Sequence, residues 1–413
     1  MKPFIKEHVD ATPIEDNVFK IVRMVNEAKA TLGEGAIVDA TIGALYDEEG
    51  KLVAYDSVYD HYNEIPNREK ARYATSFNGN ADFREQVEKW VLQNTDVHLA
   101  CTVVGTPGGS GAVSTTIVDT LDEGETLIIP EIAWGSYKLM AQMSNINVAT
   151  YAMFEGDHFN VASFKEVCAK VMDEQGKVVA VINDPCHNPT GYSLSNDEWK
   201  ELVAFANELS KKGPFIFLND IAYIDYSNDV ENSRKYMENF NDISDNVIVV
   251  VCFSCSKTLT SYGLRCGAAV VLAQKQESVR QMEIVFEKTA RATWSNIPNA
   301  AMDNFVYVTT EGVEPFKQEK ANYIALMKQR SELFLSEAKE AGLPVYPYKE
   351  GFFVTIAESD PVVLENYHQA LLANHIYTVK VNKGIRVAVC SLSLAKCKGL
   401  AKRMKDILDS VKG

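Results

Sequence analysis

The sequence predicts an α/β fold: a large domain with a mostly parallel sheet covered by helices, plus a smaller α+β domain assembled from both chain ends. Two observations carry this. From about residue 101 onward, the apolar runs "TLIIP", "VVAVIND", "FIFLND", "VIVVVCF" and "GAAVVLA" alternate with polar, helix-compatible segments. Runs that are apolar at successive residues suit strands buried on both faces, as in parallel sheets with helical cover. The second observation is the mixed character of the first fifty residues and of the segment after about residue 325. There a long helical pattern, "ANYIALMKQRSELFLSEAKEAG", is followed by the short strand-like runs "GFFVTIA" and "GIRVAVC". These ends predict a small domain of residues 1–49 and 321–413 around a large domain of residues 50–320.

The segment "SNDEWKELVAFANELSKKGP" illustrates one covering helix. Ser195 predicts an N-cap with Glu198 completing a capping box. Trp199, Leu202, Val203 and Phe205 fit one helical face, and Gly213 with Pro214 reads as the stop. No repeat, low-complexity tract or long linker interrupts the chain.

Composition narrows the function. The 413 residues are 46% hydrophobic and 23% charged, ordinary globular values, and no stretch approaches the roughly 18 uninterrupted apolar residues of a membrane span. The formal net charge of −15 disfavours nucleic acid, whose binding needs clustered Lys and Arg. The start, "MKPFIKEHVDATPIEDN", lacks an apolar h-region and carries early acids, so a cytoplasmic protein is expected. Eight cysteines include no two C-x-x-C motifs of the kind that hold zinc. Cys101, Cys168, Cys252 and Cys266 lie in apolar surroundings that suit buried free thiols. No metal site is expected.

In open parallel sheets, ligands collect at the carboxyl ends of the strands. "TPGGSGAVSTT" follows "TVVG"; its glycines and Ser110 before a helical run suit an anion site at a helix N-terminus, or equally a tight packing turn. It is neither a Walker motif nor G-x-G-x-x-G. Asn188 in "HNPTG" is an amide in a turn. Asp220 ends a buried strand, so it either caps the next element or faces a cation or protonated nitrogen, with Tyr223 close by. "FSCSKTLTSYGLRCG" delivers Lys257 and Arg265 after another buried strand. A lysine there is useful if its amine loses its proton and attacks a carbonyl, whereas Arg265 stays charged and suits a phosphate. In isolation, a solvated lysine and a structural arginine are the commoner outcomes.

Together these residues match the needs of a pyridoxal phosphate site. The sequence resembles the fold-type I pyridoxal phosphate enzymes, and within them the aspartate and aromatic aminotransferase group, from about Gly43 to Arg386. "SCSKTLTSYGLRCG" is similar to the family's S-x-S-K…R-x-G segment. The resemblance implies that Lys257 binds the cofactor covalently and acts as general base, with Ser254 and Arg265 on the phosphate. "TPGGSGA" resembles the phosphate cup and implies Gly108, Gly109 and Ser110 there. "CHNPTG" and "DIAY" imply Asn188 and Tyr223 on the ring hydroxyl oxygen and Asp220 on the pyridine nitrogen. Trp134 in "EIAWGSY" matches the aromatic residue stacked on the ring. Tyr73 in "RYATSFNGNADFR" resembles a tyrosine that reaches the partner subunit's phosphate, which implies a homodimer with shared sites.

Substrate recognition, on the same resemblance, rests on Arg386 in "GIRVAV" for the α-carboxylate and on Arg291 in "RATWSNIP", donated across the dimer, for a distal carboxylate. Gly43 in "TIGALYDEEGK" lines that pocket. These imply transamination between aspartate or glutamate and a 2-oxo acid by ping-pong half-reactions. The same two arginines also serve aromatic aminotransferases. Decarboxylase and C–S lyase chemistry would keep Lys257, Asp220 and Arg386. A ligand sensor of this kind usually carries a fused DNA-binding module, and the sequence shows no basic N-terminal helix-turn-helix pattern, while a simple phosphate-binding module would leave Lys257 without a role. The chain departs from the group just before Asn188, in "TSFNGN" after Tyr73, and at Leu45 and Tyr46.

Overall fold

The apolar runs form one seven-stranded sheet in a computed structural model that describes residues 4–13 and 17–413. Residues 1–3 and 14–16, part of the stretch read for targeting signals, lie outside the described residues. The strands are β1 (Ala100–Thr106), β2 (Thr126–Pro130), β3 (Asn147–Tyr151), β4 (Val178–Asn183), β5 (Phe215–Asp220), β6 (Val247–Ser254) and β7 (Gly267–Ala273). Their spatial order is β1-β7-β6-β5-β4-β2-β3. Every pairing is parallel except the two made by β7. β4 and β5 are buried at every position, which explains their unbroken apolar sequences.

The reversal of β7 brings several loops to one edge. Register pairs Gly267 with both Ser254 at the end of β6 and Thr106 at the end of β1, while Asp220 at the end of β5 pairs with Cys252. Close approach there requires glycine: a Cβ on Gly267 would lie 2.6 Å from both the Gly108 carbonyl carbon and the Phe253 carbonyl oxygen.

Helices cover the sheet. α1 (Gly108–Thr120) follows β1, α2 (Ser136–Met143) follows β2, and α3 (Asn196–Leu209) begins with both bonds of the Ser195–Glu198 capping box. α3 buries Trp199, Leu202, Val203, Ala206 and Leu209, so Phe205 stands at the margin of that face rather than within it. The helix also ends at Leu209, before Gly213. A Cβ on Gly213 would come within 2.0 Å of the Gly176 carbonyl oxygen, so this glycine serves packing between two turns and not the helix stop.

A second apolar cluster joins Val38 and Ala40 to Phe334, Ala338, Val354, Ile356, Ile385 and Val387. It surrounds an antiparallel sheet of β8 (Phe353–Ala357), β9 (Val379–Val381) and β10 (Gly384–Ala388), in the order β8-β10-β9. The long helical pattern starts earlier than the sequence suggests: the helix runs from Val313 to Ala341, so the boundary expected at residue 321 falls inside one continuous helix. All eight cysteines are free, and only Cys101 is not fully buried. Cys252 and Cys255 stand at C-x-x-C spacing, yet no group of three or more His, Cys, Asp or Glu among the described residues is placed to hold a metal. No helix among those residues is long and apolar enough to cross a membrane.

Candidate active site

Strand ends at the shared edge enclose a cavity of about 210 Å³. Among its lining residues are Ser110, Trp134, Asn188, Asp220, Lys257 and Arg265. Gly109, Tyr223 and Ser254, also expected from the sequence, line it too, and Gly108 and Gly43 lie immediately behind the wall.

Lys257 sits in a four-residue helical turn, α4 (Cys255–Thr258), directly after β6. The Ser254 hydroxyl caps this turn by accepting from the Ser256 amide at 3.3 Å. Lys257 Nζ donates to the Gly43 carbonyl at 2.8 Å and lies 4.6 Å from the Tyr262 ring centroid and 5.7 Å from that of Tyr223. Burial lowers its pKa to about 8; the Cys390 thiol opposes that shift, and the guanidiniums of Arg386 and Arg265 add to it. The amine is therefore far more available as a free base near neutral pH than an ordinary lysine.

Asp220 is buried where β5 ends. It accepts from the Tyr137 hydroxyl at 2.5 Å and from the Ala222 amide at 3.1 Å, and it has no cation partner among the described residues. Burial raises its pKa, and the Tyr137 and Ala222 hydrogen bonds offset part of that rise. A buried carboxylate with only neutral donors is electrostatically incomplete, and a protonated ring nitrogen would complete it.

On the opposite wall, Arg265 adopts a left-handed backbone (φ 49°) and donates to the Tyr262 carbonyl at 2.8 Å and to Ser256 Oγ at 3.2 Å. Its partners among the described residues are these and the Pro107 carbonyl at 3.5 Å, with no carboxylate among them. Gly108, at φ +72°, passes beneath the guanidinium: a Cβ would lie 2.8 Å from Arg265 Nη2, and one on Gly109 would lie 2.9 Å from Ser254 Cβ. These two glycines keep open a cradle of backbone, hydroxyl and guanidinium at the start of α1, which suits a phosphate. Aldehyde-reactive amine, unpaired carboxylate and phosphate cradle thus fit pyridoxal phosphate around one cavity.

Arg386, on β10, is buried and reaches the same region. Its Nη2 donates to the Thr41 carbonyl at 2.8 Å and its Nη1 to Asn188 Oδ1 at 3.2 Å, while its Nε is buried without a partner. The guanidinium stacks 4.3 Å from the Phe353 ring centroid. Arg291 and Tyr73 stand elsewhere. Arg291 is exposed over the Phe77 ring and donates to Ser295 Oγ at 2.9 Å, and Tyr73 is 83% exposed.

Sequence reasoning passed over Tyr137, Asn183, Ser256 and Tyr262, all of which line the cavity. Two of these had a local signal: Tyr137 stands one helical turn after Trp134, and Tyr262 lies between Lys257 and Arg265. Tyr262 accepts from the Leu45 amide at 2.9 Å and so holds the loop whose Gly43 carbonyl receives Lys257.

Known proteins resemble this chain in sequence and in fold. The model of the aminotransferase class I and II family matches residues 37–404. An aspartate aminotransferase of Pseudomonas aeruginosa is 26% identical over 63% of this chain and 65% of its own length. An aromatic-amino-acid aminotransferase of the same organism is 24% identical over the same shares, so each match spans just under two thirds of the relative's length. Among solved structures, an aminotransferase from Anaerococcus prevotii superposes with a TM-score of 0.95 at 32% identity, covering 98% of this chain and 99% of that one. The aromatic-amino-acid aminotransferase of Burkholderia pseudomallei, solved covalently bound to pyridoxal phosphate, shares the fold with a TM-score of 0.79 at 20% identity, covering 99% and 100%. With a family match that takes in both sheets, Lys257 and Arg386, the chain belongs to the class I and II aminotransferases.

Proposed function

We propose that this chain transfers the amino group of an acidic amino acid, aspartate or glutamate, to a 2-oxo acid. Transamination with pyridoxal phosphate is the chemistry of the family; the substrate is the part inferred. When bound, pyridoxal phosphate supplies the electron sink that makes the Cα proton of an amino acid removable. The observation that carries the reading is Arg386, a buried guanidinium with no carboxylate partner among the described residues, beside a lysine amine whose pKa is lowered to about 8.

The residues divide the work. Gly108, Gly109, Ser110, Ser254 and Arg265 would hold the phosphate, Trp134 would pack on the ring, and Asn188 and Tyr223 would hold the ring hydroxyl. Asp220 would keep the ring nitrogen protonated. Arg386 receives the α-carboxylate through paired N–H groups, which aims the Cα–H bond at Lys257 Nζ. Lys257, when its amine is free, would act as general base, taking the Cα proton and handing it across the nitrogen to the cofactor carbon that had carried the aldehyde. A second 2-oxo acid reverses these steps, giving ping-pong kinetics.

The acidic preference rests on Arg291, which in a homodimer with shared sites would meet the distal carboxylate of substrate in the partner's cavity. Its exposure beside Phe77, together with the exposure of Tyr73, supports that assembly. A division into residues 50–320 and residues 1–49 with 321–413, and a cytoplasmic location, belong to the same reading.

The test is the absorption spectrum of the purified protein before and after glutamate, aspartate, tyrosine or phenylalanine is added singly. Conversion of the lysine-bound cofactor band to the amine form by the acidic pair is expected, and the Lys257→Ala variant should lack that starting band. If tyrosine and phenylalanine convert it and the acids do not, the acidic reading is wrong. Arg291→Ala should lower kcat/KM for acidic substrates far more than for aromatic ones.

A further inference from the structure

Behind the cavity lies a sealed charge cluster that no step above uses. Asp225, two residues after Tyr223, is 1% exposed, as is Arg234, and Lys320 is 2% exposed. Asp225 Oδ1 accepts from Arg234 Nη2 at 2.7 Å and from Lys320 Nζ at 3.4 Å. Its Oδ2 accepts from Thr258 Oγ1 at 2.6 Å and from Trp90 Nε1 at 3.1 Å. The Lys320 amine is held between the rings of Trp90 and Phe316, 4.9 and 4.8 Å from their centroids. Removing three charges from water is expensive, and an apolar substitute of similar volume is often as stable, so stability alone is a poor account of such a group.

Its geometry points to a different role. Thr258 is the residue after Lys257 and the last of the short turn α4. The next residue after Asp225, Tyr226, donates its hydroxyl to the Lys257 carbonyl at 3.2 Å and pairs with the Tyr55 hydroxyl at 2.8 Å. Two adjacent residues thus grip both the side chain of Thr258 and the backbone of Lys257. A four-residue turn has little stiffness of its own, so its direction is set by what holds it.

We propose that Asp225, fixed between Arg234 and Lys320, is a positioning residue that sets the direction of Lys257 by gripping the Thr258 hydroxyl. Lys320 belongs to the helix Val313–Ala341, whose Arg330 donates to the carbonyls of Tyr46 and Cys390. The anchor of the lysine turn and the loops flanking Gly43 and Arg386 therefore share one rigid element. The inference rests on Lys257 being the residue that joins the cofactor.

The test uses the full chain freed of cofactor and then mixed with saturating pyridoxal phosphate. Attachment joins Lys257 nitrogen to the aldehyde carbon, with the aldehyde oxygen leaving as water; borohydride trapping at timed intervals and peptide mass counting give its rate. Thr258→Val is the variant of choice, because Asp225→Asn leaves two buried cations uncompensated and threatens folding. Thr258→Val should slow attachment about tenfold or more, the scale of a misaimed reacting group. Cofactor affinity, read from phosphate-dependent protection of the chain before trapping, should stay within about threefold, since the cradle residues are untouched. Thr258→Ser, which keeps the hydroxyl, should restore the rate, and kcat should fall in Thr258→Val with little change in KM. Attachment by Thr258→Val at the wild-type rate overturns the inference, as does equal slowing in Thr258→Ser. Failure of the wild-type chain to attach cofactor at Lys257 overturns the functional reading instead. If Thr258→Val does not fold, Thr258→Ala against Thr258→Ser makes the same comparison.

Discussion

Asp220 and Asp225 lie five residues apart on one segment, both buried, and their environments drive them in opposite directions. Asp220 meets a phenol and an amide, and burial raises its pKa. Asp225 meets a guanidinium, an ammonium, a hydroxyl and an indole N–H, and the Lys320 and Arg234 charges overcome burial to hold its carboxyl well below the usual range. One carboxylate is left incomplete at a cavity wall and the other is fully satisfied in a sealed pocket. Burial alone therefore does not mark a functional acid; burial without a counter-charge, facing open space, does.

The contrast can be broken most forcefully at Asp225. Asp225→Ala should destabilise the chain by about 3–5 kcal/mol, because Arg234 and Lys320 lose the buried anion that both contact, and denaturant unfolding reads this directly. Asp220→Asn should do the reverse: kcat falls about 10²–10³-fold through lost electrostatic stabilisation, while the unfolding midpoint holds or rises. A large stability loss in Asp220→Asn would erase the distinction. Tyr137→Phe, which removes one donor to Asp220, should lower kcat about tenfold, in line with a charge-assisted hydrogen bond of about 1.5 kcal/mol, with the fold intact. Stability against pH gives the finest test. Asp225, with its pKa depressed, contributes stability that is present above pH 3.8 and is lost as pH falls below it. Asp220, with its pKa raised, costs stability at neutral pH, and that cost disappears as pH falls toward 3.8. The differences between wild type and the two variants should thus run with opposite slopes on acidification of the cofactor-free chain.

Much of the cavity was legible because its residues follow strands that advertise themselves. Asn188, Asp220 and Lys257 each come just after an unbroken apolar run, and a parallel sheet carries such ends to one edge. The sealed cluster was not legible. Asp225 draws partners from positions 90, 234, 258 and 320, and nothing in the local sequence of any one of them reveals the others. Tyr137 was hidden for a milder reason: its spacing from Trp134 suits a core aromatic as well as a cavity wall. Helix ends were legible where a cap controls them, as at Ser195, and less so where a glycine such as Gly213 answers to packing in three dimensions. Arg291 and Tyr73 were found by motif and stand outside this chain's own cavity.

The reversed strand β7 has a consequence for what insertions the chain can bear. Two parallel neighbours would need a crossover of about a dozen residues or more, with freedom in its length. Instead, Ser254 and Gly267 are locked opposite each other in an antiparallel register, so the segment between them is a closed span whose two footings cannot move. The distance from amine to guanidinium is then a fixed gauge, cut by residue count. One residue added or lost between Lys257 and Arg265 would spoil that gauge and displace the buried run from Thr258 to Ser261, whereas the exposed turn at residues 122–124, before β2, has room to lengthen.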